Sequence, residues 1–206
     1  VDCLIMYEIR SVENLEDFLA GSKLLYDNYL SAGLINKNSF GLYISPYHTL
    51  PVTAMYLCIK DKPLYTASLV RSTKEYGLPS QEDFPEIREH ISNSLCCEIT
   101  CLAGKNDFRA LNNLFSYLAD LLSYFEYYLL VCHPRHAGYY ERKYQAQRLS
   151  GIRNIHRVQG NPGVLLKISK SFRSFSDEPL FPEPYWFPEK LTTQIKELSE
   201  LISRIG

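Results

Sequence analysis

The sequence has no Cys-x-x-Cys pair, no glycine-rich phosphate loop, no surplus of either charge and no long apolar run across its 206 residues. Each absence removes a class of function. A formal charge of -1 gives no global reason to expect nucleic acid or an anionic membrane as partner. No apolar stretch reaches the roughly 18 to 20 residues needed to span a bilayer. Val1-Asp2 does not open a basic-then-apolar leader, so the expectation is a soluble cytoplasmic protein, with the start lacking Met read as trimming. Six cysteines stand at positions 3, 58, 96, 97, 101 and 132, mostly inside predicted strands, where buried free thiols normally lie. A zinc site would have to join Cys97, Cys101, Cys132 and His133 across neighbouring strands instead of using close-spaced loop ligands. The expectation is therefore no metal and no resident cofactor.

What is plentiful is tyrosine, at 16 residues against one tryptophan. A large apolar body with a polar tip suits the wall of a cleft as well as a core. The chain is organised around Leu95 to Tyr144, which predicts strand (Leu95 to Leu102), helix (Asp107 to Glu126), strand (Tyr127 to Cys132) and helix (Arg135 to Tyr144). The two strands of such a unit lie parallel with a right-handed crossover. Upstream, Leu4 to Ile9 reads as a strand and Asn14 to Ala32 as an amphipathic helix closed by Gly33. Phe40 to Ser45, Val52 to Lys60 and Tyr65 to Arg71 read as three strands with short turns, which argues for antiparallel pairing. Glu75 to Ser92 is a polar excursion longer than a connection needs, read as a lid or binding loop. Strands near Ile152 to Val158 and Val164 to Ile168 flank a turn at Gly160-Asn161-Pro162-Gly163. Phe175 to Pro188 carries four prolines among aromatic residues and is expected to pack across the body, followed by a helix from Glu189 to Ile205. The domain reading is 1–170 as the catalytic domain, with 171–206 packed on it.

Glu98 lies in an apolar strand, where a carboxylate must be paired, hydrogen-bonded or facing a cleft. Burial would raise its pKa toward that of a general base; at an edge it would simply reach water. Tyr139 and Tyr140 follow the second strand, and because successive helical residues diverge by about 100°, at most one faces a given cleft. Tyr140 is the candidate proton donor, against packing for both. His133 and His136 flank Pro134-Arg135 and are either bases or capping residues. A thiol nucleophile at Cys97 or Cys101 with His133 as base is conceivable, although no flanking residue would lower a thiol pKa. Ala103-Gly104-Lys105-Asn106-Asp107 offers only a weak nest of backbone amides for a diphosphate.

Four motifs carry a family resemblance. Glu98-Ile99-Thr100-Cys101-Leu102-Ala103 resembles the Glu-Val-Ser-Arg-Leu-Ala strand of bacterial long-chain N-acyl amino acid synthases, GNAT-fold relatives of the acyl-homoserine lactone synthases. His133-Pro134-Arg135-His136-Ala137 with Tyr139-Tyr140-Glu141-Arg142 resembles their Pro-x-His-x-x-Phe-Tyr helix. Gly77-Leu78-Pro79 with Phe84-Pro85 resembles their lid, and Leu24-Leu25-Tyr26 to Tyr29 with Gly33 their entry helix. The resemblance spans roughly Leu15 to Ile168 and implies an α/β fold, a mixed twisted sheet with helices on both faces plus a C-terminal helical extension. It implies transfer of a fatty acyl group from acyl carrier protein, or from coenzyme A, to the amine of an amino acid or similar small amine. Glu98 would be the base and Tyr140 the acid, with backbone N–H near Ile99 or Thr100 holding the oxyanion. Cys101, Leu102, Val131, Cys132 and His133 would line the pantetheine cleft, and Arg71, Tyr26 and Tyr29 would meet the acceptor. The weak amide nest favours a carrier-protein donor, which Lys105, Arg135 and Arg142 could contact. Cys101 departs from the family's Arg, leaving Arg10, Lys23 and Arg71 to read a substrate carboxylate, and Gln145-Ala146 replaces the usual Gly-Phe. The rivals are an autoinducer synthase with an S-adenosylmethionine-derived acceptor and a non-catalytic acyl- or carrier-binding module.

Overall fold

The structure is a computed structural model that describes residues 7–91, 96–121, 124–169 and 184–205. In chain order these form β1 (Glu8–Ser11), α1 (Leu15–Ser31), β2 (Thr53–Ile59), β3 (Pro63–Arg71), α2 (Arg88–Ile91), β4 (Cys96–Gly104), α3 (Phe108–Leu121) and β5 (Tyr127–Cys132). There follow α4 (Pro134–Tyr144), β6 (Gln147–Arg148), β7 (Arg153–Ile155), β8 (Asn161–Ser169) and α5 (Glu189–Ile205). This is a mixed α/β fold with a mostly antiparallel eight-stranded sheet. The chain divides into two units, one from Val1–Ser68, Cys101–Ala119 and Tyr185–Gly206, the other from Leu69–Thr100 and Asp120–Pro184.

The first unit has strand order β1-β2-β3-β4. β1 pairs antiparallel with β2 from Glu8↔Ile59 to Ser11↔Tyr56. The strand is thus displaced toward Ser11 from its expected position, and Leu4 to Met6 lie outside the described residues. α1 starts where the Asn14 side chain accepts the Asp17 N–H at 2.9 Å and ends at Gly33, whose φ of +68° is the left-handed conformation of a helix stop. Gly21 is small for a packing reason, because an added Cβ would meet the Met55 side chain at 2.5 Å. The core joins Val12, Phe18, Met55 and Leu57 to Phe187, Leu191 and Ile195. Phe187 N–H donates to Thr53 O at 2.7 Å, so the start of α5 is held by backbone as well as apolar contact.

The expected strand at Phe40 to Ser45 is not one. Asn38 Oδ1 accepts the Phe40 and Gly41 amides, Gly41 turns at φ +64°, and Ser22 Oγ donates to Tyr43 O at 2.7 Å. Side-chain bonds thus take the backbone groups a ladder would need. Of the proline-rich stretch, residues up to 183 lie outside the described set.

The second unit has strand order β3-β4-β5-β8-β6, with β7 beside β8. β4 and β5 are parallel, in register from Cys96↔Tyr127 to Ile99↔Leu130. β8 runs antiparallel to β5 along its full length. The expected turn at 160–163 sits elsewhere. The chain reverses at Gln159 and Gly160, with φ +56° and +74°, while Asn161 to Gly163 are already paired in β8. Gly163 is required by close approach, since a Cβ there would lie 2.5 Å from Ile155 Cγ1. α3 ends at Leu121, short of the expected Glu126, and Leu122 lies outside the described residues. The excursion after β3 is two short 3-10 turns, Pro79–Gln81 and Pro85–Ile87, leading into α2. It buries Leu78, Ser80, Asp83, Phe84 and Ile87, so it is a packed element as far as Ile91, and Ser92 is not described.

Candidate active site

Glu98 is the third residue of β4 and is 1% exposed, which rules out an edge position open to water. Its Oε2 accepts the Ser80 N–H at 2.7 Å. Arg157 Nη2 stands 4.0 Å from Oε1, and Arg157 Nε 3.6 Å from Asp83 Oδ2. Asp83 is itself buried, and its Oδ1 accepts the His156 backbone N–H at 3.1 Å. Burial is the dominant influence on Glu98 and pushes its pKa above the ordinary glutamate value, with the Arg157 charge and the Ser80 amide working in the other direction. A carboxylate so buried binds a proton more tightly than one in water. Arg153 fastens the same two segments, donating to Asp83 O at 2.9 Å, pairing with Glu86 at 2.7 Å and lying over the Phe84 ring.

Ser80, Asp83 and Arg157 were not among the residues expected from sequence. Ser80 and Asp83 fall in the excursion flagged as a binding loop, while Arg157 lies beyond β7 with no local signal. Their grouping is a product of tertiary structure.

The register of β4 with β5 ends at Ile99↔Leu130 although β5 continues to Cys132, with Val131 and Cys132 paired to Leu165 and Val164 of β8. Ile99 is buried and Thr100 half-buried at that point. Cys101 adopts φ +51° and packs with Leu25, Ala103, Tyr29 and Tyr43 in the first unit. Leu102 also belongs to the first unit, and Val131, Cys132 and His133 to the second.

Tyr140 is buried in α4, its ring edge-on to Tyr139 at 5.2 Å and stacked with Tyr144 at 6.3 Å. Tyr139 is only half-buried, and its hydroxyl accepts from Lys143. His133 is the N-cap of α4, its Nδ1 accepting the Arg135 N–H. The thiol-nucleophile reading meets unfavourable chemistry at Cys97, whose thiol burial pushes well up. Arg10 is paired with Glu8 and Asp17, and Lys23 with Asp27. Tyr26 hydroxyl is bonded to Asn38, and Tyr29 packs on Tyr43. Arg71 ends β3 and is half-buried. Among the described residues, no three His, Cys, Asp or Glu side chains are grouped to hold a metal ion, and no helix is long and apolar enough to cross a membrane.

The N-terminus of α3 is occupied by the chain itself. Asp107 Oδ1 accepts the Arg109 and Ala110 amides, each at 3.0 Å, and Tyr7 hydroxyl donates to Oδ2 at 3.0 Å. The Tyr65 ring fills the space beside Gly104, 2.0 Å from where a Cβ would stand.

A parallel β4–β5 pair whose register ends beside a buried carboxylate, with a helix leading from β5, occurs here in a fold shared with acyl-transfer enzymes. A solved N-acetyltransferase from Staphylococcus aureus Mu50 superposes with a TM-score of 0.55 at 15% identity, covering 81% of this chain and 99% of that one. The AHL synthase LasI gives 0.62 at 15% identity, covering 80% and 89%. FeeM, an N-acyl amino acid synthase from uncultured soil microbes, gives 0.69 at 14% identity, covering 81% and 92%. A search among curated proteins finds no match. The fold is therefore that of the GNAT-like acyltransferases. Within that class the chain belongs to the N-acyl amino acid synthase FeeM family, which matches residues 20–169, and it is an acyltransferase.

Proposed function

We propose that the chain moves a fatty acyl group from a carrier-protein thioester to the α-amine of an amino acid, with Glu98 as base. The observation that carries this is the placement of Glu98, a buried carboxylate of raised pKa one residue before the β4–β5 register ends. The thioester would lie against that end, its carbonyl oxygen taking a backbone N–H at Ile99 or Thr100. The amine nitrogen attacks the carbonyl carbon, and the C–N bond forms as the C–S bond breaks. Glu98 accepts the amine proton directly or through a water. Tyr140 gives its proton to the departing thiolate. Val131, Cys132 and His133 would flank the pantetheine arm.

The closed N-terminus of α3 supports a carrier-protein donor over coenzyme A. A diphosphate at that terminus would need the amides that Asp107 already occupies and would face its negative charge. The test is intact mass spectrometry with a long-chain acyl carrier protein and a pool of common amino acids. Free carrier thiol together with an N-acylated amino acid is expected. Turnover only with an S-adenosylmethionine-type acceptor would replace this reading with an autoinducer synthase.

A further inference from the structure

The second unit contains a cavity of about 220 Å³. Its floor is one face of the sheet. Residues directly paired across neighbouring strands point to the same face. Glu98 pairs with Leu129, Leu129 with Lys167, and Lys167 with Gln147, which sets four side chains in one rank across β4, β5, β8 and β6. The last three of them line the cavity, as do Tyr127 and Leu149, while Ile87 and Ile91 come from the segment around α2. At the usual strand spacing, the Glu98 and Lys167 backbones are about 10 Å apart with Leu129 between them.

Among the described residues, Lys167 is the one cation lining this otherwise mostly apolar space. Its ammonium lies 4.3 Å from the centre of the Tyr127 ring, and among the described residues no carboxylate pairs with it. A half-buried ammonium beside an apolar pocket favours a ligand with an anionic group and an apolar body. An α-amino acid has that form, with its amine one carbon from the carboxylate. The rank supplies both ends, a cation for the carboxylate and, two strands away, the carboxylate that would take the amine proton. The volume also fits. An apolar cavity of about 150 Å³ is enough for benzene, so this one suits a leucine or phenylalanine side chain. Arg10 and Lys23, two of the three basic residues considered as substitutes for the arginine absent at Cys101, are engaged by carboxylates of their own.

We propose that this cavity is the acceptor subsite, with Lys167 binding the carboxylate of an amino acid whose apolar side chain lies against Ile87, Ile91 and Leu149. This rests on the acyl-transfer reading above. The test compares phenylalanine with phenylalaninamide, which lacks the carboxylate, by thiol release from an acyl carrier protein and by calorimetric binding without donor. Lys167→Met should raise KM for phenylalanine about 10- to 100-fold, the range of a charge-assisted hydrogen bond. It should change kcat less and abolish the preference over the amide, and Lys167→Arg should restore that preference. Ile91→Trp, which fills the cavity, should raise KM for phenylalanine more than for alanine. An unchanged ratio of phenylalanine to amide in Lys167→Met, or no preference in wild-type binding, overturns the Lys167 assignment. Acyl transfer absent with every amino acid, alongside intact phenylalanine binding, overturns the catalytic reading and leaves the subsite standing.

Discussion

Asp107 and Glu98 are carboxylates in and just after the same strand, and their surroundings push them in opposite directions. Asp107 takes its partners from the next turn of chain, and the Ala110 and Arg109 amides together with Tyr7 hold it below the ordinary aspartate value. Glu98 takes its partners from Ser80, eighteen residues upstream, and from Arg157 far downstream, and burial outweighs both of them. Asp107 is thus fixed as an anion that starts a helix. Glu98 is held above the ordinary glutamate value by burial. One short stretch of chain therefore yields one carboxylate held as an anion and one whose pKa is raised, and what separates them is whether amides or burial dominate.

The strongest way to break this contrast is Glu98→Gln. The acyl-transfer rate should fall about 10²- to 10⁴-fold, the contribution of a positioned base, while donor affinity stays within a few-fold. Single-turnover thiol release and donor titration check this, and wild-type rates at all pH values would remove Glu98 as base. Stability carries a second signature. Because the folded pKa of Glu98 is raised, the folded state holds this proton more tightly than the unfolded chain. The resulting stabilisation is complete below the ordinary glutamate value and is lost as pH rises through the folded one. Glu98→Gln should therefore gain Tm relative to wild type as pH rises over that window.

A smaller change tests what sets the basicity of Glu98. Among the described residues, the groups acting on it are Arg157, Ser80, Glu82 and the neighbouring Cys96 and Cys97, and only Arg157 is a cation. Arg157→Gln should raise the Glu98 pKa further and move the acid limb of the pH–rate profile to higher pH, leaving the alkaline plateau within about twofold. Arg157→Lys should return the limb most of the way. A limb that stays in place in both variants would mean that the 4.0 Å pair has no bearing on the reacting proton.

Much of the frame was legible because it rests on local chemistry. Asn14 and Gly33 bound α1, Tyr127 to Cys132 is β5 to the residue, and Glu189 to Ile205 is α5. The family motif drew attention to Glu98, while its apolar strand neighbours left a buried position and a water-facing edge both open, and the structure has it buried. Failures came where long-range contacts override local preference. Phe40 to Ser45 has strand-like residues, but α1 and Asn38 claim their backbone groups. Asn161-Pro162-Gly163 has turn composition, yet it is strand because β7 pairs there and Gly163 must let Ile155 approach. Arg157, Asp83 and Lys167 could not be found by pattern, since what matters is the strand or loop each one faces.

The smallest expected effect lies on the other side of the comparison. Asp107→Ala removes the acceptor for two helix-start amides and for Tyr7 hydroxyl, and at neutral pH it should lower Tm by about 2–4 °C, typical of a lost N-cap in a protein of this size. The pH dependence runs opposite to that of Glu98. With its folded pKa depressed, Asp107 contributes stability that is present above the ordinary aspartate value and is lost as pH falls through the folded one. The Tm gap between wild type and Asp107→Ala should therefore narrow on acidification, while the gap for Asp107→Asn, which keeps an acceptor oxygen, should be smaller throughout. Thermal melts of all three proteins across acid and neutral pH read this directly. A gap independent of pH would assign the role of Asp107 to shape alone, and the contrast between an anion held by amides and a base held by burial would then rest on Glu98 only.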